Sequence, residues 1–555
     1  MYAIIMHMKV TISKSKNQKI YYISKSIRLN GKSTTRTVEK LGTEEEVRAR
    51  AGGMDPYEWA KQYAAELTRK EKESGEAIRY SPTRLIRKNA SQTINISYLF
   101  PQDIYYDLRI NELCDAMTEQ YSLPFDFNMV FSRLIYTRIV YHASKRGTYE
   151  LSKQFLEKPS FPAADIDRAL RFLSVTPLTF QRQLYRKVAD SGITDGRLLF
   201  YDCTNYYLET GDRDFLGYRI FGKESTTPIV QLGLLTDANG LPLSFDTLRD
   251  LDANPPRMTS LEHDIINEQN PRQIIVCSDA GLTKIAEEKF VYDHDVRYIH
   301  VESMRNLDAQ LRSYAVDVND WHIGNRKRTY RIDMVDEDKY FNTVFFKERT
   351  LMTNGKLQRM IVTFSMNQQA RQRWIRQRQL TRVSDIVDAA SDNRYSGQRE
   401  YIRRLEREEQ LDGFSVFFTD SDLDLLTLIP FIRRRREIEE NFRTVKREIR
   451  SRSLNLNSRE KLYAHFMICF ISSLIERIIE LKLNDRYPFE DLSDNLRVMD
   501  MLDIPSEGYI PVYSRNDLTD ALHEAFGFRT DNQITSGRSI RKITVNTKKA
   551  NPLVF

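Results

Sequence analysis

Cysteine is scarce in this sequence: four in 555 residues, Cys114, Cys203, Cys277 and Cys469, with no CxxC pair among them. That spacing excludes a disulfide framework and a zinc ribbon and fits a reducing compartment, so a cytoplasmic location is expected. Long apolar runs are also missing. The longest candidate, residues 466–475, falls well below the roughly 18 residues that cross a bilayer, and MYAIIMHMKV holds too short an apolar stretch for a signal peptide. No membrane partner is expected. There is no glycine-rich phosphate loop either, since GKEST at residues 222–226 lacks the first part of a Walker motif, so no nucleotide cofactor is implied. His322 and His465 have no second His or Cys at ligand spacing, which favours packing or surface roles over metal binding.

What is present describes a globular chain. Hydrophobic residues make up 41% and charged residues 29%, enough apolar surface for cores, and the length calls for several domains. The formal net charge is +7, modest overall but unevenly placed. Arginines crowd at Arg371, Arg373, Arg376, Arg378 and Arg382, then at Arg433, Arg434, Arg435 and Arg436. A third group holds Arg443, Lys446, Arg447, Arg450 and Arg452. Such clusters suit a surface that follows phosphates; a solvated helix face with acidic neighbours gives the same pattern.

The periodicity changes along the chain. Residues 1–42 alternate apolar and polar positions around Asn30-Gly31, which predicts a small, basic β-hairpin unit. A helix from Asp55 to about Ser74 follows, with Pro56 in its first turn, and then a polar linker around residues 75–92. From Pro101 to about Asp190 apolar residues recur at three and four, as in FNMVFSRLIYTRIVYHAS, so this segment is helical. At Gly196 the pattern turns to strands: RLLFYDCTNYYLE, IVQLGLLTD and LPLSFDTL, with a turn at residues 238–240. A helix near 258–267, the buried strand IIVCSD, a helix near 283–290 and the strand VRYIHV complete the order βββαβαβ, a mixed α/β sheet flanked by helices. Residues 302–365 show further strand-like alternation, as in KRTYRIDMV and YFNTVFFKE, before charged helices across about 367–410. The strand GFSVFFT comes next, then a helical stretch from about Leu425 to Ile449 that Pro430 is expected to kink or divide, and the apolar helix LYAHFMICFISSLIERIIEL.

Three carboxylates stand out. Asp202 lies in the first strand of this sheet and Asp279 at the end of IIVCS, where strand ends expose side chains. Two carboxylates placed together repel, and a bound Mg²⁺ is the physical reason to bring them close. In RREIEENFRTVKRE, Arg435, Glu439, Phe442 and Lys446 are spaced four, three and four apart, which puts them on one helical face. Glu440 lies about 100° around that helix. A surface helix braced by Arg–Glu–Lys ion pairs would show the same spacing.

In this order, YDCTN, CSDAGL, a strand-rich insertion, IEENFRTVK and HFMICFISSL resemble bacterial insertion-sequence transposases of the DDE type, in the branch with a β-strand insertion and a Tyr-Arg-Glu-Lys signature. The resemblance covers roughly residues 196–480. It implies an RNase H-like mixed-sheet core, in which the first and fourth strands are neighbours and would bring Asp202 and Asp279 to one edge. The implied partition is a basic β unit, helix and linker at 1–92, a helical DNA-binding domain at 93–192, the first part of the core at 193–301, the insertion at 302–413, the second part of the core at 414–482, and a C-terminal region at 483–555 for dimerisation or DNA contact. Residues 1–190 are expected to supply end binding.

Carried over by position, the resemblance makes Asp202, Asp279 and Glu439 the catalytic, metal-binding triad for Mg²⁺, with Mn²⁺ as a substitute. Arg435 and Lys446 become the signature's basic pair on DNA phosphates, joined by Arg443. The signature tyrosine falls on Ile432, beside Phe431, so a hydroxyl contact to the DNA end is in doubt. Pro228 and Gln231 match a family segment before the second core strand. Trp321 is the candidate for stacking on a flipped base, a contact of about 1–3 kcal/mol, against the common alternative of a core tryptophan. The implied reaction is two-metal cleavage of element ends followed by joining of 3′-hydroxyls to target DNA, carried out by a homodimer on DNA. Another metal nuclease on the same fold, or a non-catalytic DNA-binding descendant, are the competing readings.

Overall fold

The computed structural model describes all residues except 1–7, 16–17, 30–31, 74–84, 86–87, 89–90, 144, 176, 207–229, 249–259, 280–294, 325–327, 354–355, 371, 375, 378–408, 433–458, 488, 505–507 and 554–555. It forms two compact units. The first comprises residues 1–92 with 502–510 and 533–539, and the second the remainder.

In the first unit, β1 (Met8–Ser15), β2 (Gln18–Leu29) and β3 (Lys32–Thr43) make an antiparallel sheet in that order. Leu29 pairs with Lys32, so the predicted two-residue hairpin falls at Asn30-Gly31, outside the described residues. Thr43 caps α1 (Glu44–Arg50) in a capping box with Glu46, which satisfies two otherwise orphan N–H groups. The Asp55 carboxylate accepts from the Tyr57 and Glu58 amides and starts α2 (Pro56–Glu73), as Pro56 predicts. Tyr21, Ile23, Leu41, Val47, Ala60 and Ala64 close a small core between sheet and helices.

The second unit opens with the short strand β4 (Thr93–Asn95). Six helices follow: α3 (Leu99–Asp107), α4 (Ile110–Gln120), α5 (Phe127–Tyr141), α6 (Lys145–Ser152), α7 (Ala164–Val175) and α8 (Pro177–Asp190). The long helix Arg459–Lys482 packs on α3, α5 and α7. Arg138 of α5, buried there, donates to the Cys469 sulfur at 2.8 Å. No helix among the described residues is long and apolar enough to cross a membrane.

The same unit holds one continuous ten-stranded sheet. Its strands are β5 (Leu198–Tyr206), β6 (Val230–Asp237), β7 (Pro242–Leu248), β8 (Gln273–Asp279), β9 (Val296–Glu302), β10 (Trp321–His322), β11 (Thr329–Tyr330), β12 (Val344–Thr353), β13 (Lys356–Ser365) and β14 (Phe414–Thr419). The spatial order is β11-β10-β12-β13-β14-β9-β8-β5-β6-β7. β5, β6 and β7 are successive antiparallel neighbours, whereas β5, β8 and β9 run parallel. The crossover between β7 and β8 is α9 (Ser260–Gln269); the predicted helix near 283–290 lies outside the described residues.

Helices cover both faces of the central strands, as parallel strands require. On one face Leu199, Tyr201, Leu235, Leu243 and Ile274 meet Leu261, Ile265 and Ile266 of α9 and Tyr185 of α8. Gly233 is needed here because a Cβ at that position would collide with the Tyr201 ring and hydroxyl. On the other face Phe200, Ile275, Cys277, Ile299 and Phe417 pack beneath the helix at residues 425–432, through Leu425, Leu428, Phe431 and Ile432. This helix includes Pro430; the rest of the predicted helical stretch, 433–449, lies outside the described residues. The alternation in KRTYRIDMV yields only Thr329–Tyr330 as strand. Arg331 and Asp333 instead pair at 2.9 Å, and the Ile332 amide donates to Val318.

Candidate catalytic site

Register places the two aspartates. β5 and β8 are parallel neighbours in which Asp202 pairs with Cys277 and Cys203 with Ser278. Asp279 stands two positions beyond Cys277 in the same strand. Strand positions alternate between faces with a period of two, and directly paired positions share a face. Positions 202 and 279 therefore fall on one face of the sheet, on adjacent strands, diagonally offset by one alternation. Such diagonal neighbours are roughly 7–8 Å apart in backbone terms, within reach of a shared ligand.

Position 202 is held from both sides, since Asp202 also pairs with Leu234 of β6. It is 7% exposed, two residues beyond Phe200, where the apolar core of this face gives way. Position 279 pairs with Val301 of β9, so four strands fix the two positions.

The third element approaches the same face. The helix at 425–432 packs on it through Phe431, whose ring stacks on Phe200 with centroids 3.7 Å apart and planes 13° apart. The chain beyond it leads to Arg435, Glu439, Arg443 and Lys446, which lie outside the described residues, as does Pro228. Gln231 is in β6, paired with Asn205. Ile432, at the position of the signature tyrosine, is 6% exposed and belongs to the apolar core, so this position serves packing. Among the described residues no three His, Cys, Asp or Glu side chains form a metal-sized cluster.

Trp321 is fully buried in an apolar cluster with Phe345, Val362 and Val416, with its indole N–H donating to the Asp317 carbonyl at 2.7 Å. Phe364 and Phe414 pack against the ring at centroid distances of 6.1 and 5.9 Å. The core alternative for this tryptophan describes what is seen, and stacking on a base would require the ring to leave its packing. His465 is buried and His322 half-buried, one in the long helix and the other in β10.

Sequence reasoning passed over Lys347. Its ammonium sits 4.5 Å from the Trp321 ring centroid and 4.8 Å from that of Tyr314, and it donates to the Asp317 carbonyl at 2.8 Å. Burial lowers its pKa to about 8. The signal was available, because the alternation in YFNTVFFKE puts residue 347 on the same face as Phe345, a face the core claims. Asp237, at the end of β6, is likewise buried and accepts from the Asp195 and Leu241 amides at 2.7 and 2.8 Å. These bonds fix the turn that joins β6 to β7. No family model matches the chain, and no curated protein matches it.

Proposed function

We propose that the chain is a DNA transposase of the DDE type, which binds the ends of a mobile element, cleaves them and joins the 3′-hydroxyl ends to target DNA. The observation that carries this reading is the placement of positions 202 and 279 on one face of adjacent parallel strands, the face on which the helix at 425–432 packs. The order β7-β6-β5-β8-β9, with the first strand beside the fourth, supports an RNase H-like core. The further strands β10–β14 extend its β9 edge, which agrees with an inserted segment.

The donor set fits a divalent cation. Carboxylate oxygens are hard ligands of the kind Mg²⁺ prefers, and a buried carboxylate such as Asp202 is costly near a second one without a counter-charge. Asp202 and Asp279, with Glu439, would hold Mg²⁺, or Mn²⁺ in its place. Bound there, the metal supplies a Lewis acid for phosphoryl transfer. The protein's own part is positional: the four-strand ladder fixes the backbone at positions 202 and 279, and Phe431 on Phe200 holds the helix at 425–432 on the same face. Arg435, Arg443 and Lys446 are assigned to DNA phosphates. The partners in this reading are the terminal inverted repeats and target DNA, with the protein acting as a homodimer on DNA.

The test uses DNA carrying the inverted repeats that flank the gene. Asp202→Asn, Asp279→Asn and Glu439→Gln are each expected to reduce Mg²⁺-dependent cleavage and strand transfer by on the order of 100-fold or more, while end binding persists, because an amide keeps the shape and loses the charge. Glu440→Gln should retain activity. An active Asp202→Asn enzyme would sink the proposal, and an active Glu439→Gln beside a dead Glu440→Gln would overturn the helix register.

A further inference from the structure

The most uneven charge in the chain lies in its first unit. Across β1 to β3, residues 8–43, there are nine lysines and arginines and a single acidic residue, Glu39. That excess is larger than the +7 of the entire chain, so the remainder is close to neutral.

The sheet register sorts these residues by face. Val10 pairs with Ile23 and Ile12 with Tyr21, and these positions pack toward α2. Glu39 pairs with Ile23 and accepts from the Tyr63 hydroxyl of α2 at 3.2 Å, so the one carboxylate of the sheet is turned to the helix side. Lys14, Lys19, Lys25 and Arg36 fall in rows on this same α2 side, and the opposite face holds three rows across all three strands: Lys9–Ser24–Thr37, Thr11–Tyr22–Lys40 and Ser13–Ile20–Thr43. Lys9, Thr11, Thr37 and Lys40 are exposed, Tyr22 and Ile20 are half-buried, and Ser24 is buried. Among the described residues no carboxylate pairs with Lys9 or Lys40, whereas Lys19, at the other end of β2, is held by Glu44 at 3.0 Å.

We infer that this open face of β1–β3 is a binding surface for the sugar-phosphate backbone of duplex DNA. Ammonium and hydroxyl groups are the usual side-chain donors to phosphate oxygens, and here Lys9, Thr11, Thr37 and Lys40 stand exposed in adjacent rows with no carboxylate among them. Antiparallel β elements are also structures that DNA grooves accept. The inference rests on the proposal that the chain acts on DNA, and it assigns backbone gripping to the sheet of the first unit and to Lys9 and Lys40 in particular.

The experiment measures binding of the full-length protein to a fluorescent duplex over a range of salt concentrations. Lys9→Ala/Lys40→Ala should lower the slope of log affinity against log salt by about two and leave the melting temperature unchanged. Lys9→Arg/Lys40→Arg should restore the slope. Lys61→Ala/Lys70→Ala, which removes two exposed lysines of α2 that pair with Glu58 and Glu66, should leave it unaltered. An unchanged slope in the Lys9/Lys40 double alanine variant overturns the inference, as does an equal loss in the α2 variant. Loss of binding to phosphatidylserine vesicles with DNA binding intact would also overturn it, in favour of a membrane surface. The cleavage assay of Asp202→Asn is independent: an unchanged slope beside a dead Asp202→Asn removes this surface and spares the transposase reading, and the converse removes the reading and spares the surface.

Discussion

Asp103 shows how one residue's surroundings set a pH response. It sits on α3 one turn before Asp107, and burial, then the Asp107 charge, raise its pKa to about 7, with Lys482 opposing. The ordinary aspartate value is near 4, so the folded state favours the protonated form. A group with a raised folded pKa contributes stability that is present below its unfolded pKa and is lost as pH rises through the folded value. The window here runs from about pH 4 to about pH 7. Asp103→Asn removes the charge, so it should stabilise the protein at pH 8 by roughly 1–3 kcal/mol and change little at pH 4. Thermal denaturation at the two pH values checks this; equal shifts at both would mean that the carboxylate is not the responsible group.

At the scale of elements, Phe431 anchors the helix at 425–432 to the sheet through its stack on Phe200. Truncating a buried phenylalanine costs about 3–5 kcal/mol, so Phe431→Ala should destabilise the unit by that order in denaturant melts. It should also weaken catalysis beyond what the lost stability explains. Full activity in the folded variant would show that the Phe200–Phe431 stack does not position the site. Most of this architecture was legible because its signals are local. The short runs LLFYD, apolar and aromatic, and IIVCSD, apolar and β-branched, favour buried strands, and Asp55-Pro56 starts α2 by its own chemistry. The diagonal of positions 202 and 279 was anticipated only through the family resemblance, since strand adjacency across 77 residues is not a local property. Other features depend on tertiary context. KRTYRIDMV alternates like a strand, but after Tyr330 the chain leaves the sheet and the Ile332 amide bonds to the Val318 carbonyl instead. The face that buries Trp321 and Lys347 is defined by partners distant in sequence.

At the scale of the molecule, the strands that follow β9 in the chain continue its sheet. β14 pairs with β9 from Val416–Glu302 to Thr419–Ile299 and with β13 on its other side, so the backbone ladder passes from β13 and β14 into the strands that carry positions 202 and 279. Cooperative units in hydrogen exchange follow such contiguous structure. The amides of β13 and β14 should therefore exchange with the same opening free energy as those of β8 and β9, within about 1 kcal/mol. Separate, earlier opening of β13 and β14 would show that the seam is weak. If the ladder holds, a pull on β12 and β13 is resisted by rows of hydrogen bonds, and these strands act as a cantilever built into the sheet that carries positions 202 and 279.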